Sequence, residues 1–351
     1  MVSLARSHCK GWPPPAHGAH NGGMDTLHPY TALTPDLLLD AVESTGLRCD
    51  GRVLALNSYE NRVYQVGIED DTPLVAKFYR PGRWQDAQIL EEHAFAAELA
   101  AAEIPVVAPL AFDGQTLLQW QGFRFALFPR RGGRAPELED EDTLQWLGRF
   151  LGRIHLVGRS RPFSSRPRLD VASFGHQALA TIEAGGHLPA QLAADYLRVA
   201  RELLTAVEAA FAAVPDADWL RCHGDCHAGN VMWTPDGPHF VDLDDSRMAP
   251  AVQDIWMLLS GEREQQSSQL AAILAGYEEF CDFDYRELRL VEALRSLRLL
   301  HYTAWLSARW ADPAFPAAFP WFGSDNYWHE RRGELEQQLQ AMQQPPLWAM
   351  P

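Results

Sequence analysis

The sequence predicts an α+β chain folded as two lobes, a small N-terminal lobe of antiparallel β-sheet with one helix and a large, mainly helical C-terminal lobe. Three observations carry this. Short runs with strand-like alternation recur between residues 62 and 128, helical periodicity dominates from Glu137 onward, and one polar motif with a following hairpin interrupts that helical half.

Taken in order, residues 1–26 (Trp12-Pro13-Pro14-Pro15, then Gly18, Gly22 and Gly23) have turn-rich composition without an apolar period and read as a disordered extension, with Met24 an alternative start. Thr34-Pro35-Asp36 is an N-cap followed by Pro at the first helical position, leading Leu37 to Val42 into a helix that Gly46 ends. Arg62 to Ile68 alternates, Asp70-Asp71 turns, and Leu74 to Tyr79 returns as a second strand. A helix is predicted from about Asp86 to Ala102, with Ile89, Phe95 and Leu99 on its apolar stripe and Pro105 closing the segment. Strands follow over 109–112, 116–120 and 123–128, broken by Asp113-Gly114 and Gln121-Gly122, which makes five strands in all. Pro129 to Gly133 suits a hinge, so the boundaries are 1–26 for the extension, 27–129 for the β-rich lobe and 130–351 for the helical lobe. Helices are predicted over 144–155, 192–212, 256–259, 269–280, 286–310 and 333–342, and there are no internal repeats.

Composition bounds the function. A chain of 351 residues with 47% hydrophobic and 22% charged residues has enough apolar content for a large core. Its formal charge of −16 argues against a nucleic-acid or anionic-membrane partner, since such partners are bound by Lys and Arg. No apolar run approaches the roughly 20 residues of a membrane span, and the N-terminus lacks a signal-peptide core, so a cytoplasmic protein is expected; a monomer is expected as well. The five cysteines, odd in number and scattered, read as free thiols.

The chemistry concentrates in His223-Gly224-Asp225-Cys226-His227-Ala228-Gly229-Asn230 and the strand-like Phe240-Val241-Asp242-Leu243-Asp244. An Asp and an Asn five positions apart can serve one phosphotransfer centre, with Asp225 facing an acceptor hydroxyl and the Asn230 carbonyl oxygen holding Mg²⁺. Met232 to Pro238 reads as an apolar strand running into an Asp-Gly turn, so Asp242 should return beside Asn230 and share a face with Asp244. Phosphoryl transfer also needs a cation for the phosphates. Lys77, in the otherwise apolar Val75-Ala76-Lys77-Phe78, is that candidate, and Glu92 on the following helix is its expected partner, with Glu91 the alternative. Leu56 to Tyr64 lacks the glycines of a phosphate-covering loop, and Ser58 and Asn61 are the substitutes on offer. Two Cys and two His within Cys222 to His227 raise a zinc reading, but three residues separate the cysteines and no second ligand cluster exists.

These residues resemble the aminoglycoside phosphotransferase and choline kinase superfamily, whose His-Gly-Asp-x-His-x-x-Asn pattern matches His223, Gly224, Asp225, His227 and Asn230 position for position. Longer strings, Leu56 to Gln65, Lys77 to Pro81, Ile89 to His93, Val241 to Asp245 and Pro250 to Leu259, are similar to the bacterial stress response kinase A family of Ser/Thr protein kinases. The resemblance spans about Leu27 to the C-terminus. It implies a two-lobed protein-kinase-like fold and an ATP- and Mg²⁺-dependent kinase acting on protein Ser/Thr hydroxyls, itself included, in a stress response. It implies ATP bound between the lobes against Phe128-Pro129-Arg130 and touched by Ser58, Asp225 as proton acceptor, and Asn230 with Asp242 as magnesium ligands, so that Asp225 and Asp242 form the catalytic pair. Gly224 stands where ordinary protein kinases carry Arg, and His227 replaces their Lys but can still donate to the γ-phosphate. Asp244 is placed either to help hold a second magnesium or to orient Arg247, and Asp254 to brace the catalytic loop. A small-molecule kinase and an ATP-holding binding module remain the alternatives, and the aromatic C-terminus reads as core packing with a substrate groove as its alternative.

Overall fold

The computed structural model describes residues 30–347. The expected extension over 1–26, the alternative start at Met24 and Cys9 lie outside the described residues. Helix α1 (Pro35–Glu43) begins where Thr34 accepts the Leu37 N–H at 3.2 Å, the cap its sequence announces. It packs on a five-stranded antiparallel sheet of order β1-β2-β3-β5-β4, formed by β1 (Cys49–Leu56), β2 (Arg62–Ile68), β3 (Leu74–Phe78), β4 (Leu118–Trp120) and β5 (Phe123–Pro129). The strand expected over 109–112 does not form. Phe112 makes only a local bridge to Gln115, and the fifth strand is β1 instead. Strand β1 escapes the alternation rule because it is a sheet edge, mostly exposed, whose register breaks between Cys49 and Val53, around Gly51 at φ +83°. Leu38, Val42, Val66, Phe78, Phe125 and Leu127 fill the core between α1 and the sheet.

Helix α2 (Asp86–Ala101) crosses from this sheet toward the helical lobe, burying Phe95 and Leu99 in the larger core. That lobe comprises α3 (Glu141–Arg159), α4 (Gln177–Ala184), α5 (Ala190–Ala212), α6 (Val252–Trp256), α7 (Arg263–Tyr277), α8 (Val291–Arg309), α9 (Ala314–Ala318) and α10 (Asp325–Ala341). Helices α3 and α7 pack backbone to backbone, since a Cβ on Gly148 would sit 2.0 Å from the Ile273 carbonyl oxygen. Three-residue strands β6 (Leu220–Cys222) and β9 (Arg247–Ala249) pair with each other, too short to show in the sequence. Between them β7 (Val231–Thr234) and β8 (Gly237–Phe240) form the expected hairpin. The hairpin is held at the lobe boundary. Arg134 exchanges backbone hydrogen bonds with Trp233, and Phe240 does so with the 105–107 segment. Phe315, Tyr327 and Trp328 are buried, so most of the aromatic C-terminus is core, while Trp321 stays partly exposed. Among the described residues no helix is long and apolar enough to cross a membrane.

Candidate active site

Strand β6 delivers the chain into the His223–Asn230 loop, and the loop is fixed from below by Asp254 on the first turn of α6. Its carboxylate accepts the N–H groups of His223 and Gly224, each at 2.8 Å, and contacts His155 Nε2 at 3.0 Å. Burial works to raise the Asp254 carboxyl, yet the His155 hydrogen bond and the loop N–H groups prevail and hold it below the usual range. This is the bracing expected of Asp254. Gly224 has φ +84°, and a Cβ there would lie 2.2 Å from the Asp245 carbonyl oxygen, so no larger residue fits before Asp225.

His223 adds a bracket that sequence reasoning missed. Its Nε2 lies 2.9 Å from the Val241 carbonyl oxygen, and its Nδ1 faces the Asp225 N–H at 3.4 Å. Asn230 closes the loop, its Nδ2 donating to the Asp225 carbonyl oxygen at 2.9 Å while its main-chain carbonyl oxygen takes the Val241 N–H at 3.0 Å. The hairpin thus returns Asp242 beside Asn230, as its turn predicts. Strand geometry ends at Phe240, however. Asp242 adopts the left-handed conformation (φ 59°, ψ 63°) and residues 243–245 form a 3₁₀ turn, so Asp242 and Asp244 converge by a turn and not by strand alternation.

Lys77 on β3 is buried, with Nζ 2.9 Å from Asp242 Oδ1 and 3.3 Å from Asp244 Oδ1. Burial alone would depress the Lys77 ammonium, but Asp242, Asp244 and Glu92 hold its pKa well above the ordinary value. The expected Lys77–Glu92 ion pair is not made. Two carboxylates outcompete one, and Glu92 remains buried with Oε2 lacking a hydrogen-bond partner and its pKa pushed up to about 7 by burial. Glu91, one residue and about 100° around the helix, points elsewhere and accepts the N–H groups of Ser164, Ser165 and Arg166.

Asp244 is buried and tethered. Oδ2 takes Asn61 Nδ2 at 3.1 Å and Arg83 Nη1, and the main-chain oxygen takes Arg166 Nη2. Asn61 also accepts the Arg80 N–H at 3.1 Å, so its amide bridges protein groups where the sequence reading offered it to phosphate. Asp245, and not Asp244, holds Arg247 at 2.6 Å, with Arg83 Nη2 at 2.9 Å. Ser58 lies half-buried in the β1–β2 loop, its hydroxyl without a hydrogen bond among the described residues. Phe128, at the end of β5, packs against the cluster of Tyr79, Ile89 and Ala126. His227 accepts the Gly229 N–H on Nδ1 at 3.0 Å and points Nε2 toward Asp225 Oδ2 at 3.6 Å; burial lowers its pKa. Arg298 of α8, absent from the sequence reading, sets Nη1 2.7 Å from Asp225 Oδ1.

The oxygen atoms present suit a hard divalent cation. Asp242 keeps 56% of its side chain exposed, the Asn230 side-chain N–H is spent on Asp225 and leaves the side-chain Oδ1 uncommitted, and Asp244 Oδ1 is buried without a hydrogen bond. A soft-metal site is not assembled from Cys222 and Cys226, whose thiols burial pushes up in pKa. The buried triad His155, Cys222 and Asp254 does bring ligand atoms together, but Asp254 and His155 are already hydrogen-bonded within the protein.

Comparison with known proteins agrees with this geometry. Residues 52–291 match the model of the phosphotransferase enzyme family. Stress response kinase A of Escherichia coli (strain K12) is 48% identical over 322 residues, 92% of this chain and 97% of that protein. The serine/threonine protein kinase RdoA of Salmonella typhimurium (strain LT2) is 46% identical over 93% of this chain and 99% of its own length. Among solved structures, amicoumacin kinase hAmiN in complex with AMP-PNP, Ca²⁺ and Ami superposes with a TM-score of 0.63 at 18% identity, covering 86% of this chain and 91% of that one. A microcompartment-associated aminopropanol kinase gives 0.61 at 17% identity, covering 86% and 94%. The chain is therefore a kinase and belongs to the phosphotransferase enzyme family, within its stress response kinase A group.

Proposed function

We propose that the chain transfers the γ-phosphoryl group of ATP to Ser and Thr hydroxyls of proteins, itself among them, as part of a stress response. The observation that carries this reading is the convergence of Asp225, Asn230 and Asp242 at the lobe boundary, with Lys77 reaching the same carboxylates from the opposite lobe. Asp225 orients the acceptor hydroxyl and takes its proton. The hydroxyl oxygen bonds to the γ-phosphorus, the bond from that phosphorus to the β–γ bridging oxygen breaks, and ADP leaves with the electron pair. Lys77 serves the phosphates, Ser58 covers them, Phe128 walls the nucleotide and His227 donates from Nε2. Asn230 and Asp242, with Asp244 behind them, would hold Mg²⁺, which would supply positive charge to the phosphate oxygens. Glu92, buried on α2 with Oε2 lacking a hydrogen-bond partner, would offer Lys77 a further carboxylate.

Protein acceptors are supported by the extent of likeness to a relative named as a serine/threonine protein kinase, and by the Arg298 guanidinium against Asp225, which disfavours a cationic amino alcohol at that spot. Incubation with γ-labelled ATP separates the acceptors. Label is expected on Ser and Thr of polypeptides in the presence of magnesium, and label found on amino alcohols or sugars but never on protein would overturn the reading.

A further inference from the structure

We propose that Arg298 is a catalytic residue, supplying from α8 the positive charge that the catalytic loop itself does not carry; this rests on the reading that Asp225 faces the acceptor hydroxyl. Two features of the loop leave a gap. Gly224 cannot be replaced by a cation, since even a Cβ collides with the Asp245 carbonyl oxygen. His227 accepts an N–H on Nδ1, which makes it a neutral imidazole with its proton on Nε2. Nothing within the loop therefore brings a full positive charge to the transferred group.

The other cations near the site are committed. Lys77 is held by Asp242 and Asp244, Arg83 by Asp244 and Asp245, Arg247 by Asp245, and Arg166 by the main-chain oxygens of Ser246, Gln88 and Asp244. Arg295, one turn before Arg298 on α8, is likewise taken by Glu292 and Gln266. Arg298 differs. Its ion-pair partner among the described residues is Asp225, and 47% of its side chain is exposed, so most of its five N–H donors are unspent.

Position decides what those donors meet. A hydroxyl giving its proton to Asp225 must come within about 3 Å of that carboxylate. The guanidinium that already touches Oδ1 borders the same space, next to the equatorial oxygens of the phosphoryl group under attack. Charge spreads over those oxygens in the transition state, and a planar fork of donors with a delocalised charge matches them. An ordinary surface ion pair would behave otherwise, because such pairs contribute little and their loss leaves turnover alone.

The test compares the full chain with Arg298→Ala, Arg298→Lys and Asp225→Asn, following both phosphate release to water and transfer to protein. Arg298→Ala should lose about 10²-fold in kcat with the KM for ATP changed less than about threefold, the signature of an interaction made in the transition state. Arg298→Lys should retain part of the rate. Added guanidinium ion should restore Arg298→Ala by about tenfold or more and leave the unchanged chain and Asp225→Asn unaffected. A kcat for Arg298→Ala within about threefold of the unchanged chain, or a loss that guanidinium does not restore, overturns the assignment. If Asp225→Asn turns over as fast as the unchanged chain, the reading of Asp225 fails instead, and the two failures are told apart.

Discussion

Lys77 has three carboxylates within electrostatic reach and is held by two of them, which leaves Glu92 buried, with one oxygen unpartnered and a pKa of about 7. Glu287 is a second buried acid of this kind, remote from the nucleotide side. Its Oε2 accepts the Val252 N–H at 2.9 Å, Oε1 has no partner, and burial pushes its pKa up from 4.5 to about 7. A raised folded-state pKa favours the native protein while both states are protonated. Unfolded Glu ionises near 4.5 while the folded carboxyl keeps its proton, so this contribution is lost as pH rises from there through about 7. Glu287→Gln keeps the acceptor for Val252 and cannot ionise. Between pH 5 and 8 the unchanged chain should therefore lose on the order of 2 kcal/mol relative to Glu287→Gln in urea unfolding, and parallel pH curves would contradict the account.

At the scale of elements, the β1–β2 loop owes its shape to the C-terminal helices and not to glycine. Glu60 in that loop accepts Trp305 Nε1 at 2.6 Å and pairs with Arg309 at 3.0 Å and Arg80 at 3.1 Å, while Asp312 pairs with Arg80 and Tyr59 packs on Phe319. Helix α8 and the residues flanking α9 thus latch the strand loop that precedes Lys77. Asp312→Ala should cost about 3 kcal/mol, as breaking a buried pair does, and raise the KM for ATP; unchanged melting and unchanged KM would show the latch to be idle. Local signals made much of this fold legible. The Thr34-Pro35 cap marked α1, the Ile89, Phe95 and Leu99 stripe marked α2, and the Asp-Gly turn marked the β7–β8 hairpin. Elements specified by long-range contacts were not legible. Edge strand β1 buries too little to alternate, the β6–β9 pair is three residues a side, and the left-handed turn at Asp242 lies where Lys77 and Arg83 of the other lobe meet the 242–245 segment. The same limit explains the site. The motif spacing marked Asp225, Asn230 and Asp242 as candidates, whereas Arg298 reaches Asp225, and Arg83 and Arg166 reach Asp244, from separate elements that no spacing links.

For the whole molecule, a net charge of −16 coexists with a centre lined by Lys77, Arg83, Arg166, Arg247 and Arg298. Cations gathered at the lobe boundary of an acidic protein suit a site that takes in phosphate. The lobes meet there through Lys77 and Arg83 above and Asp242, Asp244 and Asp245 below, so nucleotide and metal would bind where the two halves already hold each other. The central claim is that Asp225 accepts the hydroxyl proton during transfer to protein. It is tested most directly by mapping Ser and Thr phosphosites in cells carrying the unchanged chain or Asp225→Asn, with ATP affinity measured on both purified proteins. Phosphosites on client proteins and on the kinase should disappear with Asp225→Asn while the Kd for ATP moves less than about threefold. An undiminished phosphosite pattern in Asp225→Asn cells would contradict it.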